Sequence, residues 1–154
     1  MIENILTKIF GEPEVIPSRA DDGTYLIRWY VCRSLKLGGL YIHCFDSSDD
    51  LDYLHSHPWK WALSFIVYGG YREEFRVGDT VESREVKPFR FNWITKDTYH
   101  RVDLRKRVCW SLFLIGPTVD TWYFWDRKTM ARVPARAWLD NKDEAIWQID
   151  RRRF

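Results

Sequence analysis

A chain of 154 residues corresponds to one domain by the usual size prior and buries about two-thirds of its unfolded surface on folding. Its 24 basic and 22 acidic residues leave a net charge of +2, so no overall field draws it to nucleic acid. It also lacks the run of about 18 apolar residues that a membrane span needs. Its three cysteines show no C-x-x-C spacing, which argues against a disulfide framework and sets a reducing, cytoplasmic compartment as the expectation.

Ile2, Ile5, Leu6 and Ile9 recur at helical spacing and predict a short amphipathic helix over Met1–Phe10 that packs on the domain. Its polar side lacks the basic residues of a membrane-surface helix. Gly11, Pro13 and Pro17 break the helix, so residues 1–18 read as helix and linker. Strands are predicted at Thr24–Arg33 and Leu40–Phe45, with Gly38-Gly39 turning between them. The acidic stretch Asp46–Asp50 with Asp52 reads as a solvated loop, since it lacks the glycine and terminal glutamate of a calcium loop. Further strands follow at Lys60–Tyr68, Tyr71–Val77, Thr80–Val86, Phe89–Ile94, Tyr99–Leu104 and Arg107–Ile115. Gly69-Gly70 and Gly78-Asp79 are the hairpin signals, because glycine permits the positive φ of tight turns. Thr121–Trp125 and Arg132–Leu139 are the last strands. Asp140–Trp147 is a short helix with an Asp or Asn cap, and Arg151–Phe154 is a solvated basic tail.

Aromatic residues form 17% of the chain, nine of them tryptophan, and favour strands and large buried areas. Cys32, Cys44 and Cys109 each lie in an apolar strand pattern and read as small hydrophobes. Many short strands with regular turns make the fold all-β, a sandwich or a barrel.

The chemistry centres on His55-Ser56-His57-Pro58-Trp59. Side chains two apart on a strand share a face, so His55 and His57 offer two imidazoles side by side. A third histidine from a neighbouring strand would complete a metal site, and the chain has only four: His43, His55, His57 and His100. Trp59 and Trp61 continue the face of the pair, although Pro58 is placed to bulge the strand and change that parity. Tyr41, His43 and Phe45 share a face of the earlier strand. Tyr41, His43 and Trp61 are therefore candidate substrate contacts. Arg28 and Arg90 stand among apolar strand residues, where an unpaired guanidinium is costly. Either would suit a carboxylate or phosphate of the substrate. Glu73 and Glu74 lie past the Gly69-Gly70 turn with at most one facing inward, which leaves no evident general base and disfavours hydrolysis.

The stretch from Leu54 to Trp59, its continuation to Gly69-Gly70, and Thr95–His100 together resemble the two motifs of the cupin superfamily over about residues 24 to 126. The resemblance implies a double-stranded β-helix (jelly-roll) barrel with short terminal helices. The single domain would then run over residues 1–154, with 127–154 as a carboxy-terminal extension. The sequence departs from the cupin pattern at Trp61 or Ala62, where the glutamate ligand would stand, and at Thr95 and Asp97, where proline and glycine would. The implied ligand set is thus His55, His57 and His100 without a carboxylate, which is similar to that of the thiol dioxygenases. In those enzymes an arginine on an early strand holds the substrate carboxylate, and Arg28 is placed similarly. Their cysteine–tyrosine crosslink has no counterpart, because no cysteine occurs between His57 and Cys109.

Three imidazoles leave open positions on a divalent metal. Imidazole suits iron, zinc, copper and nickel alike, with iron(II) expected first and zinc or nickel as alternatives. The function expected is a non-haem iron oxygenase acting on a small anionic substrate. The alternatives are a metal-independent isomerase or epimerase and a non-catalytic module that binds a small ligand. Cupins commonly pair, so a homodimer is expected, joined through Ile2–Phe10 or the carboxy-terminal segment.

Overall fold

Inward and outward residues alternate along most strands of the computed structural model, which describes residues 2–18, 23–34 and 38–135. Among the described residues one helix, α1 (Ile2–Phe10), precedes twelve strands. The strands are β1 (Glu14–Pro17), β2 (Thr24–Ser34), β3 (Gly38–Phe45), β4 (Tyr53–His55), β5 (Trp61–Tyr68) and β6 (Tyr71–Val77). They continue with β7 (Thr80–Val86), β8 (Phe91–Thr95), β9 (His100–Leu104), β10 (Cys109–Ile115), β11 (Tyr123–Asp126) and β12 (Ala131–Pro134). The first sheet runs β1-β2-β3-β10-β5-β8 and the second β12-β11-β4-β9-β6-β7. Every ladder is antiparallel.

Most predicted strands are present, and the differences have physical reasons. Glu14–Pro17 is an edge strand on β2 rather than a linker. Pro13 stands just before the strand and Pro17 at its end, where a missing N–H costs no central ladder bond. At Pro58, expected to bulge the chain between the histidine pair and the strand Lys60–Tyr68, the chain changes sheets, so β4 joins the second sheet and β5 the first. The predicted strand at Arg132–Leu139 is β12, and its residues beyond 135 lie outside the described residues, as do the predicted helix Asp140–Trp147 and the tail. Gly69 and Gly70, at φ 89° and 90°, swing the chain from β5 to β6. A Cβ at Gly69 would lie 2.3 Å from the Val108 carbonyl oxygen, so glycine is required there for space as well as for φ. Cys44 and Cys109 are buried as expected, and burial pushes their thiols up to about 12 and about 11. Cys32 is exposed instead.

Between the sheets the interior is banded. Tyr41, Ala62, Ile94, Phe113 and Ile115 form one apolar cluster, with Trp59 and Tyr30 against it. Ile66, Tyr71, Val86, Val102 and Cys109 form another, with Phe45 against it. On each contributing strand the residue between the two clusters is polar: His43 separates Tyr41 from Phe45, Ser64 separates Ala62 from Ile66, and Ser111 separates Cys109 from Phe113. Buried Glu73, Asn92 and His100 complete this belt from the other strands. Such a belt is costly unless its groups find partners.

Candidate metal centre

The belt brings the expected histidines together. His55 ends β4 and pairs in register with His100 on β9, so the two imidazoles stand on adjacent rungs with ring centroids 4.8 Å apart. His57 lies just beyond the end of β4, and its ring centre is 5.0 Å from that of His55 and 5.2 Å from that of His100. One ligand nitrogen from each lies within 4.8 Å of the others.

Hydrogen bonds behind the rings set which nitrogen faces the centre. Nδ1–H of His100 donates to Oε1 of Glu73 at 2.6 Å, which leaves the Nε2 lone pair pointing inward. Glu73 is wholly buried and also accepts from Nδ2 of Asn92 at 2.8 Å and Nε of Arg84 at 2.7 Å. Burial alone would raise its carboxyl, but the hydrogen bonds and charges of His100, Asn92 and Arg84 outweigh it and hold the value at about 2. The group is thus a carboxylate at neutral pH and an acceptor for His100. On the other side, Nδ1 of His55 faces Oδ2 of Asp49 at 3.6 Å. That carboxylate is itself fixed by the backbone N–H of Val102 at 2.8 Å. Burial, then the rings of His55 and His100, lower the His57 imidazole well below its usual value, which keeps it in the neutral form that ligates metals. Its ring stacks on Trp59 at 5.0 Å.

The donor set fits a divalent metal ion. Nε2 of His57 and Nε2 of His100 lie 3.0 Å apart. Two nitrogens sharing one ion at the usual bond length of about 2.1 Å would span that distance at roughly a right angle. A carboxylate behind a histidine is the usual outer partner that orients such a ligand.

The remaining candidates fall into two groups. Arg28, Tyr41 and His43 line the interior of the first sheet, with Arg28 opposite His43 in register. Nε–H of Arg28 donates to Nε2 of His43 at 3.1 Å, and its Nη1 donates to Oε2 of Glu14 at 3.3 Å. Tyr30 also donates to Glu14, and burial followed by that carboxylate pushes its phenol up to about 12. Arg28 thus has an acidic partner within the chain, supplied by β1. Trp61 and Arg90 stand apart from these residues. Trp61 belongs to the outward row of β5 and stacks on Trp93 at 5.4 Å, because Pro58 changes the parity after His57. Arg90 is exposed ahead of β8, outside any ladder.

Three contributors escape the sequence reading, and the role of a fourth, Glu73, does as well. Glu14 looks like part of a linker and Asp49 like part of a solvated loop, and nothing local marks either. Glu73 carried a signal: Tyr71, Glu73 and Phe75 share one face of β6, which places a carboxylate among aromatic residues. Phe113, whose ring lies 4.7 Å from that of His43 and 5.6 Å from that of Trp59, looked like any core residue.

No protein-family model and no curated protein matches the chain. Solved structures do. The capsular polysaccharide assembling protein CapF from Staphylococcus aureus superposes with a TM-score of 0.53 at 11% identity, over 70% of this chain and 29% of CapF. Fe(II)-HppE with the alternative substrate (S)-1-HPP gives a TM-score of 0.53 at 10% identity, over 70% of this chain and 57% of that protein. An uncharacterized conserved protein with a double-stranded β-helix domain from Klebsiella pneumoniae gives 0.51 at 13% identity, over 70% of this chain and 87% of its own. This chain therefore spans well under two-thirds of CapF and of HppE.

The protein has the double-stranded β-helix fold of the cupin-like proteins, and it carries between its sheets a three-histidine cluster that fits a metal ion. Among the described residues, no helix is long and apolar enough to cross a membrane.

Proposed function

We propose that the protein is a non-haem iron-dependent oxygenase in which His55, His57 and His100 hold iron(II). The observation that carries this reading is the convergence of three buried or half-buried imidazoles, one of them with its outer nitrogen held by Glu73. Three imidazoles suit iron and zinc alike, and iron is favoured by the resemblance of the ligand set to that of the thiol dioxygenases and by the fold shared with Fe(II)-HppE. Bound iron would supply open positions for dioxygen and a small substrate.

The chain's own residues then do the rest. Glu73 keeps the proton of His100 on Nδ1, so Nε2 stays available. Trp59 and Phe113 wall the site and exclude water. His43 is the substrate contact. Its Nε2 accepts from Arg28, and burial together with the Arg28 charge keeps the ring neutral, so its proton sits on Nδ1. That N–H has no acceptor among the described residues, and neither has the hydroxyl of Ser111 directly across the ladder. Two buried groups without partners await an oxygen atom, which we assign to the substrate. Because Glu14 already balances Arg28, the substrate needs an acceptor oxygen but no net negative charge.

Protein purified without a histidine tag and reconstituted anaerobically with iron(II) should hold about one ion per chain by elemental analysis. It should also consume oxygen with a member of a panel of small thiols and diketones. His100→Ala should lose the metal. His43→Phe should keep metal and fold yet lose turnover, since only substrate positioning is removed. Wild-type protein that takes up no iron, or turnover indifferent to chelation, would pass the reading to metal-free acid–base chemistry.

A further inference from the structure

Three loops meet at one end of the barrel. Residues 68–70 join β5 to β6, 87–90 join β7 to β8, and 105–108 join β9 to β10. Backbone bonds hold them together. The N–H of Phe89 donates to the Ile66 carbonyl at 2.7 Å, that of Ile66 to the Arg90 carbonyl at 3.0 Å, and that of Arg105 to the Gly70 carbonyl at 3.5 Å. A Cβ at Gly70 would lie 3.3 Å from Cδ of Pro88, so these loops are in contact.

Lys87, Arg90, Lys106 and Arg107 are gathered there, all exposed. None of the four makes an ion pair among the described residues. Glu85 and Asp103, near the ends of β7 and β9, are both engaged by Arg105. Asp46, next to Phe45 across the ladder from Cys109, adds one exposed carboxylate to this end. Cations without partners thus outnumber it.

Aromatic side chains stand between these cations and face solvent. Phe89 is 73% exposed, Phe91 67% and Tyr68 51%. The Lys106 ammonium lies 5.1 Å from the centre of the Tyr68 ring, so charge and ring form one surface. Phe89 has φ 61°, in the left-handed region that a bulky residue rarely adopts. A strained turn that shows an apolar ring to water adds nothing to the stability of the free chain, and glycine would suit it better.

We propose that this end of the barrel seats on a lipid bilayer surface that carries anionic headgroups. The unpaired cations select an anionic partner, since each is attracted to such a surface within a Debye length. The exposed rings select a partner with hydrocarbon just beneath its charge, which is where aromatic side chains settle in a membrane. The cations come from separate loops at a tip, not from a row along a groove, which suits a broad surface better than a strand of nucleic acid. The loop 105–108 lies at the far end of β9 from His100, roughly 13 Å along the strand. A chain seated in this way keeps its histidine cluster clear of the bilayer, and the proposal does not rest on the metal.

Sedimentation of the full chain with vesicles tests this. Phosphatidylcholine vesicles with about 30% phosphatidylserine should carry the protein down and release it as salt is raised, and pure phosphatidylcholine should not carry it. Arg90→Glu and Lys106→Glu, made separately, should each weaken binding at least about tenfold, because an attracted charge becomes a repelled one. Lys96→Glu, beyond the opposite end of β8, changes the net charge equally and should weaken binding less than about twofold. Phe89→Gly should weaken binding about fivefold while its unfolding midpoint stays at or above that of wild type, a pair of effects that a structural role for the ring would not give. Should a loop variant fail to fold, hydrogen exchange of wild type decides: amides of 87–91 and 105–108 should gain protection on the anionic vesicles alone. Absence of binding to anionic vesicles, equal binding to pure phosphatidylcholine, exchange unchanged on the vesicles, or displacement from them by single-stranded polyuridine at equal phosphate concentration overturns the proposal.

Discussion

The two sheets present opposite outer surfaces at equivalent positions. Across β9, β6 and β7 the outward rows read Asp103, Arg72, Glu85 and Arg101, Glu74, Ser83. Across β3, β10, β5 and β8 the corresponding rows contain only Ile, Leu, Phe and Trp. On the second sheet the charges are paired: Arg105 donates to Glu85 at 2.6 Å, Arg72 to Ser83 at 3.0 Å, and Glu74 takes both Arg101 and Arg127. Strands of the same fold, in the same alternation, thus end in paired charges on one side and in apolar side chains on the other. A sheet built to face solvent is charged, which also discourages pairing with other chains. The first sheet was not built that way.

The largest effect should come from the covered part of the apolar side. Trp29→Ala removes a fully buried indole from beneath α1 and should cost about 3–5 kcal/mol in denaturant unfolding. Trp93→Ala, on the open part, loses chiefly its stack on Trp61 and should cost about 1 kcal/mol. Equal losses for the two tryptophans would erase the distinction between covered and open regions.

Next in size is the charged side. Arg101 is almost wholly buried and depends on Glu74, so Glu74→Gln should cost about 1–3 kcal/mol at neutral pH. Burial raises the Glu74 carboxyl, but hydrogen bonding and charge from Arg101, then Arg127, outweigh it and lower the value. A carboxyl lowered on folding contributes stability above its unfolded value of about 4.3 that is lost as pH falls through the folded one. The gap between wild type and Glu74→Gln should therefore close in acid, and unfolding curves at neutral and acidic pH would reveal a gap that persists. The smallest effect belongs to Arg105→Ala. Its partner Glu85 is as exposed as it is, so water and salt screen the pair and the small loss should shrink with added salt.

Much of this contrast was legible in the chain. Tyr71–Val77 and Thr80–Val86 matched their strands to the residue, since charge alternation and Gly78-Asp79 fix both ends. The helix over Ile2–Phe10 was equally plain from its isoleucines. The three histidines could be grouped because period two and scarcity left few choices. What local pattern could not convey was assembly. Glu14 reaches Arg28 only because β1 folds onto β2, and Asp49 reaches His55 only because its loop turns under β9. Trp61 and Trp59 looked equivalent until Pro58 sent the chain from one sheet to the other.

Arg84 gives the buried centre an outer end. Its side chain is about half exposed on β7, yet it holds both Glu73 and Asn92, and Glu73 in turn holds His100. Asn92 also donates to the Tyr71 hydroxyl, so the line is braced from a second strand. For anyone who would tune this protein, position 84 is a remote handle. A change made there, in easy reach of solvent, is felt as a change in the charge standing behind His100, with no ligand altered and no core side chain cut. The same reach works in reverse, since whatever crowds or neutralises that guanidinium from outside also leaves a buried carboxylate short of one of its counter-charges.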